Sequence, residues 1–216
     1  LTIGDSTGPI TSIPSILSVH GNINNWSMKK NCTKKILFLK FFKKNINSVS
    51  LIHFLNNQEK KEASKYLNVK QIPFTINQNC INVSQFKIKR NKKFFFNILF
   101  FGRIDEKKNF LKIPEIANIF KINNVKDVKF IIVGPGLKKN IEELKVKVKK
   151  LKLDKLVEIR NSISSTDQKN ALFSEIDVFI LPSEDEADSV AIKEALASGK
   201  PVVISKECKF ISDNKS

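Results

Sequence analysis

Two cations on one loop, a serine at the start of a helix and a pair of carboxylates are the residues whose types and spacing can do chemistry here. Gly102-Arg103-Ile104-Asp105-Glu106-Lys107-Lys108 follows the apolar run Phe96–Phe101. Gly102 lets the backbone turn closely, and Arg103 and Lys108 place two positive charges suited to a diphosphate. A second polar stretch, Pro182-Ser183-Glu184-Asp185-Glu186-Ala187-Asp188, leads into a helix expected over Ser189–Ser198. On it Ala191, Ile192, Ala195 and Leu196 share a face that should pack inward, with Glu194 turned away toward the open side. The free N–H groups of Ser189 and Val190, with the helix dipole, make an anion site. Glu194 lies about 7–8 Å further along the axis. That spacing suits a phosphate at the helix start and a ribose diol at the carboxylate, with Glu186 free to hold sugar hydroxyls. The same residues also describe a solvated loop and a capped surface helix, and taken alone they leave that alternative open.

Regular elements must bring these stretches together. From Phe96 onward, apolar strand-like runs (Phe96–Phe101, Val128–Val133, Val157–Arg160, Val178–Leu181, Pro201–Ser205) alternate with helical patterns. The helices are expected around Phe110–Phe120, with Pro114 in a first turn, then over Asn140–Leu151, over Thr166–Ser174 with Thr166 as cap, and over Ser189–Ser198. Such alternation predicts a parallel sheet with crossover helices, and ligands of such sheets bind at the carboxyl ends of strands. The first part is less regular. Strands are expected at Ile16–Val19, Ser50–Phe54 and Ile72–Ile76, and helices at Lys29–Lys44 and Gln58–Tyr66, with His53 packed inside its strand. The polar, basic stretch Asn82–Lys93 reads as a linker. The expected organisation is α/β, with two Rossmann-like domains of parallel sheet, residues 1–90 and 91–216, both incomplete.

Composition narrows the partners. The chain has 216 residues, 41% of them hydrophobic, and a formal charge of +17. The positive charge is almost all Lys, with Arg only at 90, 103 and 160. Readers of bases and phosphates favour the Arg fork, so the charge reads as the codon bias of an AT-rich genome, and no nucleic-acid partner is expected. No apolar run approaches the roughly 18–20 residues that span a bilayer. Cys32, Cys80 and Cys208 are far apart and odd in number, which reads as reduced thiols rather than a disulfide or zinc framework. The opening Leu1-Thr2-Ile3-Gly4 does not look like a signal peptide and reads as the middle of a longer protein.

The two stretches together carry a resemblance. Glu186 through Glu194, continuing to Gly199-Lys200-Pro201-Val202-Val203, resembles the E-x7-E signature of GT-B glycosyltransferases of family 4. Phe100-Phe101-Gly102-Arg103 through Lys108 resembles that family's G-R-x4-K loop, and Asp177–Ser183 matches the strand before the signature. Val19-His20-Gly21, Trp26, Ile52-His53-Phe54, Glu59 and Gln78–Asn82 extend the similarity over nearly the whole chain. Asp188 and Ser189 stand where the family has an aromatic residue and a glycine, and Cys80 replaces a turn glycine.

The resemblance implies the GT-B fold and a retaining, metal-free transfer of a sugar from a nucleotide-sugar such as a UDP- or GDP-sugar. It implies that Gly102, Arg103, Lys108, Ser189 and Val190 hold the departing diphosphate, that Glu194 binds the ribose and Glu186 the sugar ring, and that His20 sits near the transferred sugar. It further implies a glycan or lipid-linked acceptor, a role in cell-surface polysaccharide synthesis, and a cytoplasmic location with possible contact to an anionic membrane. The family's glycine-rich loop and closing helices would lie outside the chain, so the fragment alone is expected to be inactive. A competing reading is a basic module for membrane surfaces or nucleic acid, resting on Lys34–Lys44 as an amphipathic helix.

Overall fold

The computed structural model describes residues 14–29, 37, 39–40, 46–67, 69, 71–86, 88 and 94–208. The helix expected over Lys29–Lys44, and with it the basic amphipathic segment, lies for the most part outside them. The chain divides into two compact units. One holds residues up to Asn79 together with Glu186–Asp188; the other holds Cys80–Asp185 and Ser189–Cys208. Among the described residues, no helix is long and apolar enough to cross a membrane.

In the first unit, β1 (Ile16–Ser18), β2 (Leu51–Phe54) and β3 (Phe74–Ile76) form a parallel sheet in that order. Helices α1 (Asn25–Lys29) and α2 (Asn57–Ala63) accompany it. Val19, Ile23, Met28, Ile52, Phe54, Ala63 and Leu67 make its core. Asn56 caps α2 by accepting from the Glu59 N–H at 2.7 Å. This helix is shorter than expected: the backbone leaves it at Ser64, before Tyr66.

The second unit is a five-stranded parallel sheet of β4 (Phe96–Phe101), β5 (Val128–Val133), β6 (Val157–Arg160), β7 (Val178–Leu181) and β8 (Val202–Ile204), in the order β6-β5-β4-β7-β8. The first four stand at the expected bounds. They are legible because a central parallel strand is covered on both faces and must be apolar nearly throughout; the last four residues of β4 and of β5 are all buried. Helices α3 (Lys112–Ile122), α4 (Lys138–Lys150), α5 (Thr166–Glu175) and α6 (Val190–Ala197) are the crossovers. Pro114 lies in the first turn of α3, where its missing N–H costs nothing. The cap of α5 is Ser165, not Thr166: Ser165 Oγ accepts from the Gln168 N–H, and Gln168 Oε1 accepts from the Ser165 N–H. The S-x-x-Q spacing of a capping box decides that choice. The stretch read as a linker begins docked on this unit, since Asn170 Nδ2 donates to Gln85 O at 2.8 Å and Phe86 packs edge-on against Phe173.

An ion network closes the β6 edge. Arg160 bonds Glu158 through Nε at 2.7 Å and Glu175 through Nη1 at 2.6 Å, while Lys129 approaches Glu158 at 2.5 Å. Chiefly through the Arg160 guanidinium, and then Lys129, the Glu158 carboxyl is pulled from 4.5 down to about 2. A folded value below the unfolded one gives stability that is present above pH 4.5 and is lost as pH falls toward about 2. About a third of the side chain meets water, so the effect is screened to roughly 1 kcal/mol. Glu158→Gln is expected to lower stability by that amount near neutral pH and by progressively less as pH falls through about 2, as measured by urea denaturation. A deficit unchanged at low pH would contradict the pairing.

Candidate functional site

Strand order reverses between β4 and β7. The chain winds from β4 through β5 to β6 on one side, then returns to β7 and β8 on the other. In such a sheet the connections leave a crevice outside the carboxyl ends of the two strands at the reversal. The loop after β4 carries Gly102, Arg103 and Lys108, and the loop after β7 leads into α6 with Ser189, Val190 and Glu194. All six residues singled out for the diphosphate and ribose therefore follow two adjacent strands of one sheet.

The β4 loop is shaped by Asp105, whose Oδ1 caps a tight turn by accepting from the Lys108 N–H at 3.0 Å. Arg103 is largely solvent-exposed, its Nε 3.5 Å from Asp105 Oδ2. Lys107, not singled out in the sequence, does the joining. Its Nζ lies 2.9 Å from the buried Asp185 carboxylate, and its carbonyl accepts from the Glu184 N–H at 2.8 Å. The two loops are thus tied by one ion pair and one backbone bond. With Asp185 committed to Lys107, the acidic run 184–186 is not a free set of ligands, and among the described residues no group of three His, Cys, Asp or Glu could hold a metal.

The close approach expected at Gly102 is required of its neighbour. Space beside Gly102 is open, with Lys108 Cε 3.9 Å from where a Cβ would stand. A Cβ on Gly134, after β5, would fall 1.8 Å from Gly102 O and 2.7 Å from its carbonyl carbon. The Gly102 N–H donates to Val133 O at 3.0 Å, which draws the two backbones together. Gly134-Pro135-Gly136 follow β5 directly, and glycine at a strand end is itself a signal of close backbone approach.

At α6, Ser189 is the N-cap residue but its side chain makes no cap bond. It is 4% exposed, and its Oγ has no hydrogen-bond partner. Ser183 Oγ, at the end of β7, is in the same condition. Buried hydroxyls without partners cost free energy unless something supplies one. Glu194 is not turned to the open side as expected. It is 6% exposed and paired with Lys169 Nζ at 2.6 Å, whereas Leu196, expected to pack inward, is exposed. Ile192 and Ala195 lie buried on the inward face, and Lys169 of the neighbouring helix α5 reaches the carboxylate. Nothing in the sequence marks a pair 25 residues apart on two helices.

His20 stands in the turn two residues after β1 in the first unit, with a left-handed backbone, φ 45°. Its ring meets His53 edge-on at 5.6 Å. His53, expected as strand packing, is held by both nitrogens: Ser18 Oγ lies 2.6 Å from Nδ1, and Asn77 O lies 2.8 Å from Nε2. Asn77 O can only accept, so Nε2 carries the proton. The buried Glu59 fixes the turn after His20, accepting from the backbone N–H of Gly21 and, at 2.6 Å, of Leu55. Glu186 is buried and groups with this unit.

A doubly wound parallel sheet whose strand order reverses between two loop-bearing strand ends defines a class of α/β protein that carries its ligand crevice at that reversal. Residues 81–213, more than half of the chain, match the sequence family described as Glycosyl transferases group 1, and the chain belongs to that family. The chain is 26% identical over 222 residues to the Escherichia coli UDP-Gal:alpha-D-GlcNAc-diphosphoundecaprenol alpha-1,3-galactosyltransferase, covering 94% of this chain and 54% of that enzyme. It therefore spans about half the length of that relative. Two solved structures share the fold. Anabaena HepE, in complex with UDP and glucose, superposes with a TM-score of 0.70 at 16% identity, covering 90% of this chain and 53% of its own. A mutant of S. aureus TarM, in complex with Fondaparinux, alpha-GlcNAc-glycerol and UDP, gives 0.69 at 19%, covering 93% and 38%. The parallel α/β units are those of the GT-B type.

Gly134→Ala is expected to destabilise the second unit by at least about 2 kcal/mol, because either the β4 loop or the β5 end must move. Thermal unfolding compared with wild type measures it; an unchanged midpoint would contradict the contact.

Proposed function

We propose that this chain is the donor-binding part of a retaining glycosyltransferase that moves a sugar from a nucleotide-sugar to a glycan or lipid-linked acceptor in cell-surface polysaccharide synthesis. The observation that carries the reading is the convergence at the β4–β7 reversal of a two-cation loop, a helix start with a buried unpartnered Ser189 hydroxyl, and the Glu194 carboxylate. The leaving group in such a transfer is a nucleoside diphosphate, and the main task is to stabilise the charge that develops on it. Arg103 and Lys108 supply cations, and the N–H groups of Ser189 and Val190 supply the helix dipole. Gly102 opens the cationic loop, Glu194 accepts from ribose hydroxyls, Glu186 binds the sugar ring, and His20 lies by the transferred sugar.

The name of the Escherichia coli relative points to a UDP-sugar donor and a diphospholipid-linked acceptor, and the bound UDP and glucose of HepE point the same way. The reaction is proposed to need no metal, with the cationic loop doing the neutralisation, and to run at the cytoplasmic face of a membrane.

Glu194→Ala and Arg103→Ala are each expected to weaken nucleotide-sugar binding about tenfold or more, the worth of a hydrogen bond to a charged group, while leaving the fold intact. Calorimetry with a panel of UDP- and GDP-sugars, with and without EDTA, measures this. Unchanged affinity in both variants would remove the site assignment, and binding that disappears with EDTA would contradict the metal-free reading.

A further inference from the structure

The carboxylate proposed for the ribose is already held by one oxygen. Lys169, at the end of the first turn of α5, places Nζ 2.6 Å from Glu194 Oε1, with 26% of the lysine side chain and 8% of the glutamate side chain exposed. The same ammonium stands 5.8 Å from the centre of the Phe101 ring, on the last residue of β4. Lys169 therefore touches the end of the strand before Gly102 and the helix that begins at Ser189, the two elements that border the reversal. Its remaining polar capacity is open. An ammonium has three N–H donors and a carboxylate has two accepting oxygens. The pair uses one donor and one oxygen, and Glu194 Oε2 has no hydrogen-bond partner among the described residues.

A buried acid paired to a buried lysine can be purely structural. This pair differs in leaving an acceptor and two donors uncommitted, side by side, with the lysine partly open to solvent. A vicinal diol complements that arrangement, because each hydroxyl both donates and accepts. We propose that Lys169 is a second ribose-recognising residue of the donor site. Glu194 is fixed through Oε1. The 3′-hydroxyl donates to Oε2, and the 2′-oxygen accepts from Lys169 Nζ. The inference rests on the proposed role of Glu194 and extends it: recognition of the 2′,3′-diol belongs to a lysine–glutamate pair spanning α5 and α6.

The test compares UDP with 2′-deoxy-UDP by calorimetry on the 216-residue chain and its variants, or GDP with 2′-deoxy-GDP where UDP does not bind. Lys169→Met is expected to weaken the ribonucleotide about tenfold and the deoxynucleotide less than about threefold, so that discrimination between them collapses. Lys169→Gln keeps a hydrogen-bond donor for Glu194, guards against a variant that fails to fold, and should show the same collapse. Lys169→Arg, which keeps charge and donors, should restore part of the discrimination. Equal losses for both nucleotides, as a merely structural lysine would give, or no loss at all, would overturn the proposal. A wild-type chain that binds neither UDP nor GDP is a separate outcome: it overturns the donor-site reading itself, and the ribose role with it.

Discussion

The parallel pairing of β4 with β7 is the constraint on which the second unit depends. Ile98 and Leu99 lie opposite Val178 and Phe179, although about eighty residues separate them in the chain. Everything between is wound to one side of β4, and everything after β7 to the other. Right-handed crossovers then leave the carboxyl edge of these two strands as the place where loops from both halves meet. The chemistry follows from that placement. Neither the two cations after β4 nor the helix after β7 makes a site by itself, and the fold puts them on adjacent strand ends.

Backbone contact and ion pairing then fix the loops. Gly134 lets the end of β5 lie against Gly102, which sets where the β4 loop departs. Lys107 reaches across to Asp185, and Lys169 reaches across to Glu194. In a chain with 38 Lys and Arg against 21 Asp and Glu, these two buried acids are each met by a lysine. Two of the lysines are thereby internal parts of the site rather than solvated surface. Burying a carboxylate without such a partner would cost several kcal/mol.

The β4–β7 core was legible in the sequence because buried parallel strands leave little choice of residue, and their runs are bounded by Gly, Pro and charged turns. The ends of the helices were less so. Ser165 rather than Thr166 caps α5, and α2 stops at Ala63, because cap choice turns on one hydrogen bond between neighbours. Within the site, the residues of the loops were legible because they are contiguous: Gly102 to Lys108, and Glu186 to Glu194. Lys107, Lys169 and Gly134 were not, since each acts through a partner that only the fold brings near. The same holds for His53, whose two polar contacts come from β1 and from the residue after β3. The orientation of Glu194 departs from the helical periodicity for a related reason. A helical face is inward or outward only with respect to its neighbours, and Lys169 of α5 reaches the carboxylate that the periodicity of α6 left open.

The most direct test of the switch-point crevice as the nucleotide site is an amide NMR titration of the isotopically labelled chain with UDP. The account predicts shift changes concentrated on Gly102, Arg103, Ser189 and Val190, with the opposite edge of the same sheet, at Val125, Asp127 and Leu156, left unmoved. Changes centred on that opposite edge, or no changes at saturating UDP, would contradict it.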